Sequence, residues 1–77
     1  MKGVNGVMSW EQSNGKWKYK YGNTYYASTF AEIDGHIYWF DKNGYITTGP
    51  YTINGHQYFF DPNYKDAFGH NYSGALA

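Results

Sequence analysis

The sequence predicts an all-β fold, a short solenoid of about three stacked β-hairpins, and three observations carry that prediction. The first is a repeat: Asn14-Gly15, Asp34-Gly35 and Asn54-Gly55 recur every 20 residues. The second is their setting. Each dipeptide lies between extended, β-rich segments, and Asn-Gly or Asp-Gly there signals a two-residue type I′ turn, because both central residues need positive φ. The third is composition: of 77 residues, 23% are aromatic, ten are Gly, and leucine appears only at Leu76. A helical stripe needs Leu and Ala, whereas rings and turn formers favour strands.

The length allows one domain, 1–77, with repeats at about 9–28, 29–48 and 49–69 and flanking segments 1–8 and 70–77. The first repeat centres on "KWKYKYG", Lys16 to Gly22, where cations alternate with rings. Period two gives a strand with unlike faces: Trp10, Trp17 and Tyr19 on one, Glu11, Ser13, Lys16, Lys18 and Lys20 on the other. In the second repeat, a turn at Asp34-Gly35 pairs Ile33 with His36, Glu32 with Ile37, Ala31 with Tyr38 and Phe30 with Trp39. One face then carries Phe30, Ile37 and Trp39, the other Ala31, Ile33, Tyr38 and Phe40. The third repeat follows with Pro50, Gln57 and Phe59 against Tyr51, Ile53, Tyr58 and Phe60. The segments from Ala31 and from Tyr51 align without a gap as far as Gly49 and Gly69. Repeats two and three are apolar on both faces, and stacking hairpins covers both. "DKNGYITTG", Asp41 to Gly49, links the two, and "HNYSGALA" after Gly69 either adds an extended segment or frays.

Several functions are disfavoured by the bulk numbers. The formal charge is zero, which argues against a nucleic-acid binder driven by counterion release. No run of 18 apolar residues exists to insert in a membrane, and the first residues do not read as a signal peptide. Without cysteine there is no disulfide staple. A glycosidase needs two carboxylates at fixed separation, but Asp34 belongs to a turn and Asp41 and Asp61 recur at one register, as structural caps do. No catalytic residue, metal site or cofactor is expected. His36 and His56 repeat the register of Lys16 and are expected as exposed polar residues at hairpin ends. The lysine face is expected to meet water, with contact to a phosphate-bearing polymer as the functional alternative. "NYS" at Asn71 fits a glycosylation pattern by chance.

The rings have two uses. Tyr38, Phe40, Tyr58 and Phe60 are expected as core, while Trp10, Trp17, Tyr19 and Trp39 divide between core and ligand contact, since an indole face suits both a cation and the apolar face of a sugar. Trp17 and Tyr19 are expected to leave rings open in the groove beside the next hairpin, with Tyr38 on the opposite face and away from ligand.

The 20-residue unit with W-x(4)-G-x-W near its start (Trp10, Gly15, Trp17), a cluster of rings after the turn and a trailing "GYITTG" resembles the cell-wall-binding, choline-binding-type repeats of Gram-positive surface proteins. It is also similar to the glucan-binding repeats of glucansucrases and the repeats of clostridial toxins. "IDGHIYWFDKNGYITTG" carries the resemblance best, which spans about Val7 to Gly69. It implies a non-catalytic module that attaches a larger secreted or bacterial surface protein to a cell-wall polysaccharide, choline-decorated teichoic acid or glucan. In the choline-binding branch it implies aromatic cages between hairpins. Only the first repeat keeps that pattern, because Phe30 and Pro50 replace its leading Trp and Ile37 and Gln57 its second. "INGHQYFFDPN" is closer to the glucan and toxin branches, where a ring stacks on a sugar beside donors such as Thr52, His56 and Gln57. The expected ligand-binding set is Trp10, Trp17, Tyr19, Phe30, Trp39 and Gln57. The alternative is a spacer that self-associates through open solenoid ends.

Overall fold

A computed structural model describes residues 8–77; all of the leading flank, 1–8, but its last residue lies outside them. The fold is all-β, and the described residues form eight strands in three antiparallel sheets. These are β1 (Met8–Ser13), β2 (Lys16–Tyr21) and β3 (Thr24–Tyr25); β4 (Thr29–Ile33) and β5 (His36–Phe40); and β6 (Gly49–Ile53), β7 (His56–Asp61) and β8 (Ala75–Leu76). Each of the three hairpins turns on its Asn/Asp-Gly pair. Asn14, Asp34 and Asn54 have φ of 53°, 54° and 51°, and the following glycines 79°, 80° and 81°. The type I′ geometry fixes the register, and β4 pairs with β5 as expected, from Ile33 opposite His36 to Phe30 opposite Trp39.

A Cβ added at Gly35 would meet nothing within 4 Å, so only backbone conformation resists substitution there. Gly35→Val is expected to lower stability by about 2 kcal/mol, the scale of a β-branched residue forced to positive φ. Denaturant titration measures it, and an unchanged midpoint would contradict the turn.

The hairpins stack through unlike faces. The Trp10 face of the first meets the Tyr38 face of the second: the Trp10 ring lies 5.0 Å from Tyr38, edge-on, and 6.1 Å from Phe40. The Phe30 face of the second then meets the third, with Phe30 and Tyr58 5.4 Å apart. The core follows this order. Ile33, Tyr38, Phe40 and Ala75 form its buried centre, with Trp10, Tyr19, Tyr26, Ile46, Tyr64 and Tyr72 packed around them. Phe30 and Ile37, on the other face of the second hairpin, stay 39% and 41% exposed.

Backbone hydrogen bonds carry the stacking from one repeat to the next. After β5 the chain turns at Asp41, whose carboxylate Oδ1 accepts the N–H groups of Asn43 (2.9 Å) and Tyr45 (3.0 Å). Residues 45–47 then run back along β5, with Asp41 N–H to Tyr45 O at 2.8 Å and Thr47 N–H to Trp39 O at 3.0 Å. In an antiparallel ladder alternate N–H groups point away from the partner. Ile46 N–H therefore points outward, and it donates to Trp17 O of the first hairpin at 2.9 Å. β8 repeats the device one hairpin later, pairing with β7 and packing on β5.

The terminal segment thus adds a strand. The third link opens as the second does, with Asn63 N–H to Asp61 Oδ1 at 2.8 Å. Gly74 takes the part of Gly44, for each donates its N–H to the link's Asp carbonyl (2.7 and 3.0 Å) at positive φ (91° and 87°). Between Asn63 and Gly74 lie ten residues, 64–73, that the second link lacks. The gap-free alignment to Gly69 is corrected accordingly. Gly69 belongs to a small hairpin inside the insertion, which repeats the Asp41 turn. Asp66 Oδ1 accepts the N–H groups of Phe68 (2.8 Å) and His70 (2.9 Å), and Tyr72 N–H bonds Tyr64 O at 2.8 Å.

Candidate ligand-binding groove

Between the first two hairpins lies a cavity of about 390 Å³. Trp10, Trp17, Tyr38 and Tyr72 supply its aromatic wall, and Asp34, Asn71 and Ser73 its polar groups. The local sequence explains each placement. Trp10 and Trp17 share the inward face of β1 and β2, their rings 6.3 Å apart at 88°. Trp10 is held by Tyr19 on one side (5.0 Å) and Tyr38 on the other, while Trp17, near the turn, stays half-buried. Asp34 stands at the tip of the second hairpin, and Asn71 to Ser73 arrive from the insertion. A second depression of about 520 Å³ shares Trp17, Ile46 and Ser73 with the first and continues toward Lys16, Tyr45 and Tyr51.

The six residues expected at a binding site fall in three places. Trp10 and Trp17 line the groove together. Tyr19 touches Trp10 but turns inward onto Tyr26, at 6.1 Å. Phe30 and Trp39 lie against each other at 4.9 Å on the far face of the second hairpin. Gln57 is exposed on the outer face of the third, where Phe59 is 47% exposed.

Three expectations are corrected. Tyr38 does lie on the face opposite Phe30 and Trp39, yet that face closes the groove, because consecutive hairpins meet through unlike faces. Burial pushes its phenol up to about 12, with the charge of Asp34 adding to the shift. Its hydroxyl therefore stays protonated and able to donate. The lysine face does not simply meet water: Lys18 Nζ lies 4.6 Å from the Tyr25 ring and 5.1 Å from the Tyr45 ring, and Lys16 Nζ 5.5 Å from Tyr45. Such cation–π contacts hold the lysine stems down on the link. His36 is half-buried, its ring 4.1 Å from Tyr72 and 5.0 Å from Tyr64, so the second hairpin tip docks the insertion. His56 is exposed, as expected.

The sequence reading passed over the insertion, and with it Tyr72, Asn71 and Ser73. A signal was present: "DAFGH" repeats the spacing of "DKNGY". The Asp66 turn is sensitive to acid. Desolvation works against its charge, but the N–H groups of His70 and Phe68, the His70 side chain and its charge hold the Asp66 carboxyl below its ordinary value. The imidazole Nδ1 lies 3.0 Å from Oδ2. A depressed carboxylate contributes stability that is complete above the unfolded value, about 4, and is lost as pH falls through the folded one. Acidification from pH 6 to 2.5 is therefore expected to release the Phe68 and His70 amides to hydrogen exchange. Equal protection at both ends would contradict it.

Fold and groove together define a β-hairpin repeat module with an aromatic cleft between consecutive hairpins. No family model and no curated protein matches the chain. Among solved structures it is similar to a truncated alternansucrase from Leuconostoc mesenteroides, at 30% identity and a TM-score of 0.54. The match covers 84% of this chain and 5% of that one, so the chain spans a small part of that enzyme's length.

Proposed function

We propose that this chain is a non-catalytic glucan-binding module that attaches a larger secreted protein to an α-glucan through the groove of Trp10, Trp17 and Tyr38. The observation that carries the reading is the match itself: nearly the whole chain resembles a small stretch of an alternansucrase, a glucansucrase. The groove supports it. Indole faces suit the apolar faces of pyranose rings, and two joined depressions suit a chain better than a single small molecule.

The acids support a non-catalytic role. Glu11 accepts the Tyr25 hydroxyl at 2.8 Å, and Asp41, Asp61 and Asp66 accept backbone N–H groups. Among the described residues Asp34 lines the first depression and Asp41 the second. Hydrolysis of a glycosidic bond needs two carboxylates that flank one bond, and Asp41 is the cap of its link, holding the Asn43 and Tyr45 N–H groups. A choline-type cation is the second reading, favoured by the same Asp34 beside four rings.

Retention on dextran, choline-substituted resin and purified wall polysaccharide, each competed with free ligand, tests the proposal. Retention on dextran, released by isomaltooligosaccharides, is the expected result. Retention on choline resin alone would favour the second reading. Retention on none, with mass rising with concentration, would favour a self-associating spacer.

A further inference from the structure

The inserted hairpin changes the chemistry of the groove it borders. Ser73 donates its backbone N–H (3.0 Å) and its hydroxyl (2.7 Å) to one side-chain atom of Asn71. A backbone N–H cannot meet another donor, so that atom is Oδ1 and the amide nitrogen is turned away from Ser73. Among the described residues, the Asn71 amide nitrogen has no hydrogen-bond partner. Nor does the Asp34 carboxylate, which lines the same cavity. The cleft therefore carries a fixed donor, an acceptor, a protonated Tyr38 phenol and two indoles.

We propose that the insertion is the specificity wall of the groove: Asn71, fixed by Ser73, donates to a hydroxyl of a neutral glucan chain lying on Trp10 and Trp17. The proposal rests on the glucan reading and assigns its selectivity. A sugar hydroxyl accepts from Asn71 and donates to Asp34 at once. A quaternary ammonium satisfies Asp34 by charge but has no lone pair for the amide, which stays unpaired. A phosphate accepts from Asn71 but is repelled by Asp34. A neutral polyol satisfies both groups. The wall is held by the Asp66 turn, by the strand-like pairing of Lys65 with Asn71, and by His36 against Tyr64 and Tyr72.

Two variants of the whole chain test it. Asn71→Asp keeps an oxygen for Ser73 and replaces the donor with a second carboxylate. Calorimetric titration with isomaltotriose is expected to show binding weakened roughly tenfold or more, the scale of a lost hydrogen bond with an acceptor left facing the ligand. The melting temperature should stay near the parent's. Deletion of 64–73, joining Asn63 to Gly74, restores the Asp-x-Asn-Gly link of the second repeat. It should also lose isomaltotriose while keeping the parent's strand signal by circular dichroism. If the deletion does not fold, Asn71→Asp decides. Equal isomaltotriose affinity in parent and Asn71→Asp overturns this inference and leaves the glucan reading standing. A parent that binds choline and not isomaltotriose overturns both.

Discussion

Replacing Phe40 with alanine is expected to remove about 3–5 kcal/mol of stability, the range for a buried phenylalanine. At about 0.05–0.15 kcal/mol per residue, a chain of this size has roughly 4–12 kcal/mol in all, so the loss takes a quarter or more of it. Phe40 is fully buried, and its ring meets Trp10 at 6.1 Å and Tyr26 at 5.4 Å. The substitution therefore opens the joint between the first two hairpins. It also weakens the pairing of Phe40 with Ile46, through which the link reaches Trp17. Phe30→Ala is the comparison. Phe30 is the same residue type on the opposite face of the same hairpin and is 39% exposed, so its loss should cost far less. Denaturant midpoints for the two variants measure the difference. Equal costs would mean that the faces have been assigned the wrong way round.

What the sequence made legible divides along local and non-local lines. The three turns and their register were readable because an Asn/Asp-Gly pair between strands determines its own conformation. Asp41 and Asp61 were readable as structural for the same reason: Asp41 accepts the N–H groups two and four residues on, and Asp61 the one two residues on. The core face was readable, for Tyr38, Phe40 and Phe60 are buried as expected and Tyr58 is half-buried; what each face meets was not. The second and third repeats are apolar on both faces, and a hairpin alone cannot say which face its predecessor covers. Trp10, Phe30 and Pro50 share one register, yet Trp10 is packed on the core, Phe30 is partly exposed and Pro50 is exposed, because each meets a different neighbour. Tyr38 was set apart from the groove although its face was assigned correctly, because the second hairpin alone does not show which of its faces meets the first. The insertion was hidden by coincidence. Gly69 falls 20 residues after Gly49, and both have positive φ, but one starts β6 and the other ends the Asp66 turn. Only the recurrence of an Asp with a Gly three residues on, at Asp66 and Gly69, separates the two alignments.

Trp17→Ala is expected to abolish most glucan binding while leaving the fold largely intact. The ring is half-buried, touches Trp10 edge-on and belongs to both depressions of the groove. Its position near the end of the hairpin keeps it off Phe40, and the link's hydrogen bond from Ile46 reaches its backbone carbonyl, which alanine retains. Stability should therefore fall by less than the roughly 3–5 kcal/mol typical of a buried tryptophan. Affinity for isomaltotriose should fall at least tenfold, about 1.4 kcal/mol or more, as expected for an aromatic anchor at the centre of a site. Phe60→Ala is the matching control, since Phe60 is fully buried in the third hairpin and lines neither depression. It should melt early, and the fraction that folds should bind as the parent does. Tyr38 cannot serve as that control, because it is both core and groove wall. Thermal melts and titrations scaled to folded fraction distinguish the outcomes. If Trp17→Ala melts far below the parent while its folded remainder binds isomaltotriose normally, the indole is a packing element. Any glucan contact must then be sought around Trp39, on the face of the second hairpin that meets the third, or at Gln57 and Phe59 on the outer face of the third.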